Sequence, residues 1–267
     1  MRRYYYLFFF ACFTSNLIFS QDQQIIEQAR LLFENKQYSA AQSVLSQLTI
    51  TSRTPESMYL DARCSKELYM SDAIALYNDL NETFPNNLYE NTVYGDIADI
   101  YYRNKNYIKS IQYLENVKYS SDENTFKLAY SNFNIDSLEK AQYFFSKIMN
   151  TKSKFSKPAK YYYAYISYEK KLYNSALQNF LELETDKKFG KIAPYYICQI
   201  YFYKGDYQNL ISYAQPLLQN LIPERQEEIF RLLAEAYYRT EDYKNAITFF
   251  QKIQNEDKNL DPNISFM

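Results

Sequence analysis

The chain has no histidine and no tryptophan, and only 3 glycines, 3 cysteines and 7 prolines among 267 residues. Without histidine the commonest general base, the commonest metal ligand and the simplest pH switch are missing together. Ser-His-Asp and Cys-His arrangements are therefore excluded. Scarce glycine leaves no G-x-x-x-x-G-K-[ST] and no G-x-G-x-x-G loop, so the usual phosphate cradles are absent. The same scarcity disfavours tight β-turns and favours helices. Charge of one sign is missing too. Lys and Arg number 30 against 31 Asp and Glu, and the two signs are interspersed. No basic field exists to attract nucleic acid, and no acidic tail to attract basic partners. Carboxylate pairs such as Glu227 and Glu228 lie among Arg225 and Arg231, as in a solvated ion-pair face. Cys64 and Cys198 are isolated on apolar stretches with no C-x-x-C spacing, so they read as small core residues. These residues imply no enzyme activity, no cofactor and no metal site.

What is abundant is apolar and aromatic. Hydrophobic residues make up 47% of the chain, with 31 Tyr and 19 Phe. Residues 1–20 form a separate segment. Arg2 and Arg3 precede an apolar run from Tyr4 to Ile18, Ser20 supplies a small residue, and Gln21-Asp22-Gln23-Gln24 is abruptly polar. That pattern predicts a secretory signal peptide cleaved between Ser20 and Gln21. Two weaker alternatives use the same residues. A retained membrane anchor is disfavoured by the short length and by Thr14-Ser15-Asn16. A lipoprotein signal at Phe9-Phe10-Ala11-Cys12 would leave an apolar stretch on the mature end. The expectation is export to the periplasm or outer membrane, with membrane contact only through this segment or through a complex.

The remainder repeats. Phe-Glu-Asn-Lys-Gln-Tyr-Ser-Ala-Ala at 33–41 returns as Tyr-Arg-Asn-Lys-Asn-Tyr-Ile-Lys-Ser at 102–110 and as Tyr-Glu-Lys-Lys-Leu-Tyr-Asn-Ser-Ala at 168–176. It returns again at 202–210 and 238–246, with divergent copies at 65–73 and 133–141. Small residues recur on a first helix at Ala29, Ala98, Ala129, Ala164, Cys198 and Ala234. The second copy has Asp61 there with Ala62 beside it, which suggests a shift of one. On a second helix the small residues are Ala41, Ala73, Ala141, Ala176 and Ala246, with Ser110 and Leu210 as departures. Leu210 predicts a looser crossing. A turn aromatic recurs at Tyr38, Tyr107, Tyr173, Tyr207 and Tyr243, with Met70 and Leu138 as departures. Asn and Asp in the short turns are suited to left-handed backbone. The polar stretches 118–125 and 150–158 read as exposed connections.

With its spacing of about 34 residues, this pattern resembles tetratricopeptide repeats. The resemblance implies an all-α fold, a right-handed α-solenoid of about seven antiparallel helix pairs over 21–256, followed by a tail or the start of a further repeat at 257–267. The chain is also similar to the amino-terminal part of long exported repeat proteins of Bacteroidetes-type bacteria. The family function implied is a non-enzymatic scaffold or adaptor for protein partners of envelope or secretion machinery.

In such proteins the first helix of each pair, helix A, lines a concave groove. The position nearest the turn holds Phe33, Ser65, Tyr102, Phe133, Tyr168, Phe202 and Tyr238. One turn earlier lie Tyr130, Tyr165, Gln199 and Glu235, and a turn before that Phe126, Tyr161, Tyr195 and Arg231. The expected partner-binding groove is therefore Phe126, Tyr130, Tyr161, Tyr165, Tyr168, Tyr195, Phe202 and Tyr238. Tyrosine offers large contact area and an orienting hydroxyl. Packing between repeats is the competing explanation for the column nearest the turn. A carbohydrate-binding module using the same groove is the alternative function, disfavoured by the missing tryptophan. Repeat one carries Ile26 and Arg30 where some members place a carboxylate clamp, so no chaperone-tail binding of that type is expected. Ile247, Phe250 and Ile253 would remain on the last helix as an uncapped face, open to self-association or to another chain.

Overall fold

The protein is described by a computed structural model covering residues 21–220 and 225–259. The expected cleavage site is split by that boundary: Ser20 lies outside the described residues, and Gln21 is exposed on the first helix. Among the described residues there are fourteen α-helices and no strand. No helix among them is long and apolar enough to cross a membrane.

The helices fall into two compact units. The first holds α1 (21–34), α2 (Tyr38–Leu45), α3 (Pro55–Glu67), α4 (Ala73–Thr83), α5 (Glu90–Arg103), α6 (Tyr107–Leu114) and α7 (Asp122–Asn134). The second holds α8 (Leu138–Ile148), α9 (Ser156–Glu169), α10 (Tyr173–Leu183), α11 (Ala193–Tyr203), α12 (Tyr207–Asn220), α13 (Gln226–Arg239) and α14 (Tyr243–Asn259). Within each unit sequential helices pack on one another, and A helices also touch the next A helix, as α3 does α5 and α11 does α13.

The small-residue columns explain the close pairing. Ala29, Ala98, Ala129, Ala164, Cys198 and Ala234 are all 0% exposed, as are Ala41, Ser110, Ala141 and Ala176. A methyl or hydroxymethyl at the crossing lets two helix axes approach, whereas a larger group there overpacks at a cost of about 1–3 kcal/mol. At Ser110 the extra atom is satisfied, since its hydroxyl donates to the Ala98 carbonyl at 3.0 Å. Leu210 is fully buried, and α11 and α12 pack together less extensively than α9 with α10 or α13 with α14. Cys64 and Cys198 are free and buried, and burial pushes both thiols up to about 12. Neither ionises appreciably near neutrality.

The turns follow one geometry. Lys36, Tyr69, Lys105, Asp136, Lys171, Gly205 and Glu241 each have φ between 57° and 71°. In six of these turns the left-handed residue donates to the carbonyl three residues back, and its successor to the carbonyl five back, as in Lys171 N–H to Tyr168 and Leu172 N–H to Ser167. This pair of bonds satisfies two orphan carbonyls at the end of helix A. The expectation of Asn or Asp at these positions is corrected: three of the seven are lysines, and Asn35 and Asn104 sit one residue earlier. The hydrogen bonds impose left-handed backbone whatever the side chain, and the lysine chains point into solvent.

Repeat two departs by one residue. Ala62 rather than Asp61 is fully buried, and Ala62 to Ala73 spans eleven residues where Ala29 to Ala41 spans twelve. Counted from the left-handed residue Tyr69, the turn-proximal position is Lys66 and the turn-aromatic position is Ser71. The assignments of Ser65 and Met70 to these places are corrected accordingly.

The polar stretches are only half loop, since α7 begins at Asp122, with the Ser121 hydroxyl capping Asn124 N–H at 3.1 Å, and α9 begins at Ser156. At the far end Ile247 and Phe250 are exposed, but Ile253 is 8% exposed and turned into the core with Phe249 and Ala246, which corrects its place on the uncapped face.

Candidate functional site

On α9, Tyr161, Tyr165 and Tyr168 follow i, i+4, i+7 spacing and share one helix face. All three are half-buried. Their common neighbour is Tyr196 of α11, at ring-centroid distances of 6.3, 5.9 and 5.4 Å. Tyr196 also stacks on Phe180 at 4.8 Å, and Tyr161 on Phe189 at 5.0 Å. A polar relay runs beside the rings. The Tyr168 hydroxyl donates to Gln199 Oε1 at 2.6 Å, and Gln199 Nε2 donates to the Tyr195 hydroxyl at 2.7 Å. Burial pushes the phenols of Tyr161, Tyr165, Tyr168 and Tyr196 above their ordinary value. They are neutral at physiological pH, so the face offers apolar area and hydroxyl hydrogen bonds but no nucleophile and no charge.

Tyr195 does not stand with that face. Its side chain is 8% exposed, with the Arg225 guanidinium 4.7 Å above its ring. Phe202 is half-buried and pairs with Tyr207 at 5.7 Å, while Tyr238 is 55% exposed and pairs with Tyr243 at 5.7 Å. The same pairing links Phe33 to Tyr38, Tyr102 to Tyr107 and Tyr168 to Tyr173 at 5.2, 6.2 and 6.2 Å. The turn-proximal aromatic therefore has a structural task wherever the turn tyrosine is present: it clasps its own turn. Aromatic pairs of this kind contribute about 0.5–1.5 kcal/mol beyond area burial.

Phe126 and Tyr130 belong to the first unit. They stack at 6.1 Å, and Tyr130 meets Tyr102 at 5.8 Å and Tyr107 at 6.2 Å. Beside them lies a cluster absent from the sequence reading. Lys66 of α3 reaches Asp96 and Asp99 of α5 at 2.5 and 3.2 Å, and Lys127 of α7 reaches Asp99 at 2.6 Å. Arg103 joins Asp99 at 3.1 Å, and the hydroxyls of Tyr77 and Tyr59 donate to Asp96 at 3.1 and 3.3 Å. Burial raises the Asp99 carboxyl, but the hydrogen bond from Lys127 and the charges of Lys66, Lys127 and Arg103 outweigh it and hold the carboxyl below its ordinary value. Of this cluster only Asp99 stands in the column that holds Tyr130 and Tyr165, so the column alone does not reveal it.

No family model matches this chain, and no curated protein does. Solved structures do. A crystal structure of MamA superimposes with a TM-score of 0.54 at 16% identity, covering 64% of this chain and 93% of that one. The fold is tetratricopeptide-like. MamA 41-end from Desulfovibrio magneticus RS-1 gives 0.53 at 17% identity over 64% of this chain and 97% of that one, and a MamA from AMB-1 gives 0.54 at 10% over 66% and 96%. At such identities the likeness speaks to the architecture, and function must be argued from the side chains.

Proposed function

We propose that this chain is a non-enzymatic scaffold or adaptor of the bacterial cell envelope, exported by its first twenty residues, and that it binds a segment of a protein partner on the tyrosine face of α9. The observation that carries the reading is the stripe of Tyr161, Tyr165 and Tyr168, half-buried and rigidly backed by Tyr196. Aromatics anchored from behind lose little entropy on binding and can keep a hydroxyl for orientation. A helix-in-groove or extended segment fits such a stripe. Export is supported by the Arg2-Arg3 start, the apolar run and the change at Gln21.

The test is capture of cross-linked partners from native envelope by wild type and by Tyr165→Ala. Tyr165 is chosen because it is only half-buried and does not clasp a turn. Loss of capture with unchanged far-ultraviolet circular dichroism is expected. Unchanged capture would remove the stripe from the account. Calorimetric binding of glycans, lost in the same variant, would favour the carbohydrate reading instead.

A further inference from the structure

In the first unit each helix pair is joined to the next by a connection from the end of a B helix to the start of an A helix. These connections run from α2 to α3 (46–54), from α4 to α5 (84–89) and from α6 to α7 (115–121). Helices that alternate in direction put all of them on one edge of the unit and the left-handed turns on the other. The three most exposed large hydrophobic side chains among the described residues stand one on each connection: Ile50 at 87%, Leu88 at 95% and Tyr119 at 85%. Exposed apolar residues scattered singly are ordinary, but one per connection over consecutive repeats is an ordered row. Neighbouring A helices touch, as α3 does α5 and α5 does α7, so successive connections are spaced by the roughly 10 Å of packed helices.

Hydrogen bonds hold each tip in place. Ile50 opens a single 3-10 turn, Ile50–Ser52, closed by Ser52 N–H donating to the Thr49 carbonyl at 3.0 Å. Leu88 is bracketed by Asn87, whose Nδ2 donates to the Phe84 carbonyl at 2.9 Å and whose Oδ1 accepts from Tyr89 N–H at 2.8 Å. At the third tip the N–H groups of Lys118 and Tyr119 both donate to Asn91 Oδ1, at 2.7 and 3.3 Å. Around the tips the connections are rich in Ser, Thr and Asn, and only Arg53, Glu115 and Lys118 are charged.

The chemistry of this edge selects its occupant. A protein partner buries apolar side chains in a contiguous apolar core or in pockets, whereas these tips are separated by polar loop. A bilayer interface takes isolated apolar side chains wherever they reach its plane. It also hydrates hydroxyl and amide groups among its headgroups, and favours Tyr and flanking Arg or Lys at that depth. Any three points share a plane, so no further shape matching is required.

We propose that this edge of the first unit rests on a lipid bilayer, with Ile50, Leu88 and Tyr119 inserted at the headgroup boundary, a membrane contact separate from residues 1–20. The proposal takes its setting from the export reading and is independent of the α9 stripe. The test is co-sedimentation of the chain from Gln21, which keeps every described helix, with vesicles of equal parts phosphatidylethanolamine and phosphatidylglycerol. Half-complete binding is expected at roughly 1 mM lipid, tenfold weaker than a single myristoyl chain gives. Ile50→Ser, Leu88→Ser and Tyr119→Ser should each weaken it about tenfold, the effect of one apolar side chain no longer buried. The triple variant should not sediment with vesicles, and its circular dichroism should be unchanged. The missing tryptophan supplies a second readout. Leu88→Trp should be quenched by brominated lipid. Ile108→Trp should not, because Ile108, 62% exposed near the start of α6, lies at the opposite edge beside the left-handed turn at Lys105.

Absence of co-sedimentation up to about 10 mM lipid, ten times that expected midpoint, overturns the proposal. So does binding retained by the triple variant, or equal quenching from both tryptophan positions. Vesicle binding lost in Tyr165→Ala also overturns it, by placing the lipid contact on the α9 face. Partner capture lost in the triple variant without any vesicle binding overturns it in favour of a protein contact at this edge. Vesicle binding through the tips, with partner capture unaffected by Tyr165→Ala, would leave this edge standing and remove the stripe.

Discussion

Replacing Lys36, Lys105 and Lys171 by glycine should stabilise the protein, although three exposed side chains are lost. The three residues have φ of 60°, 57° and 59°, and their side chains are exposed. An L-residue with a Cβ pays about 1–2 kcal/mol in this region. Glycine avoids that cost but gains unfolded-state freedom worth about 0.4–1 kcal/mol. The net gain is about 1 kcal/mol per turn, and the turns are far apart in sequence, so about 3 kcal/mol for the triple variant. For a chain of this size each 1 kcal/mol moves Tm by about 2–4 °C. The converse control is Gly205→Ala. Nothing lies within 4 Å of the added Cβ, so its cost of about 1 kcal/mol is purely conformational. Urea and thermal unfolding followed by circular dichroism measure both. If the lysine-to-glycine variants were destabilised, or Gly205→Ala stabilised, the left-handed turn would not be the constraint described.

Three other outcomes are expected. Gly190→Ala should cost at least 2 kcal/mol in urea unfolding (an order-of-magnitude figure for backbone overpacking), because its Cβ would lie 2.3 Å from the Glu184 carbonyl oxygen. Lys66→Met should lose about 3–5 kcal/mol, since Asp96, 13% exposed, would lose its cation, while Asp99 keeps Lys127 and Arg103; a loss below about 1 kcal/mol would mean water replaces the lysine freely. The Asp186 carboxyl is lowered from 3.8 to about 2 by the hydrogen bond from Lys157, with backbone N–H bonds from Phe189 and Lys188 adding to it against a burial cost. A depressed carboxyl adds stability above its unfolded value, so that stability is present above pH 4 and lost as pH falls towards 2. Asp186→Asn should therefore flatten acid unfolding in that window; an unchanged acid limb would contradict the assignment.

The repeat length and the small-residue columns were legible because each is a backbone requirement with few chemical solutions. Ala, Ser or Cys stands at each crossing position except Leu210, whose helix pair packs less extensively. The shift at Asp61 and Ala62 was legible as well, and the buried Ala62 follows it. What Lys66 does was not, because its meaning depends on Asp96, Asp99 and Lys127 arriving from two later helices. Tyr195 misled for a related reason. Its column position equals that of Tyr161, but Arg225, which immediately precedes α13, lies over its ring. Tyr196, one residue on, is the ring on which the α9 stripe rests. Period locates a position along a helix; the neighbouring element decides whether that position is covered.

The central claim is that the α9 tyrosine face is where a partner sits. A photoreactive phenylalanine analogue placed at Tyr165 in the exported protein, with Tyr143 as a control position, tests it most directly. Tyr143 is 56% exposed and lies on α8 rather than on α9. A partner seated on this face gives a discrete cross-linked protein band from position 165 and none from 143. Equal labelling from both positions, or labelling from 143 alone, would contradict it.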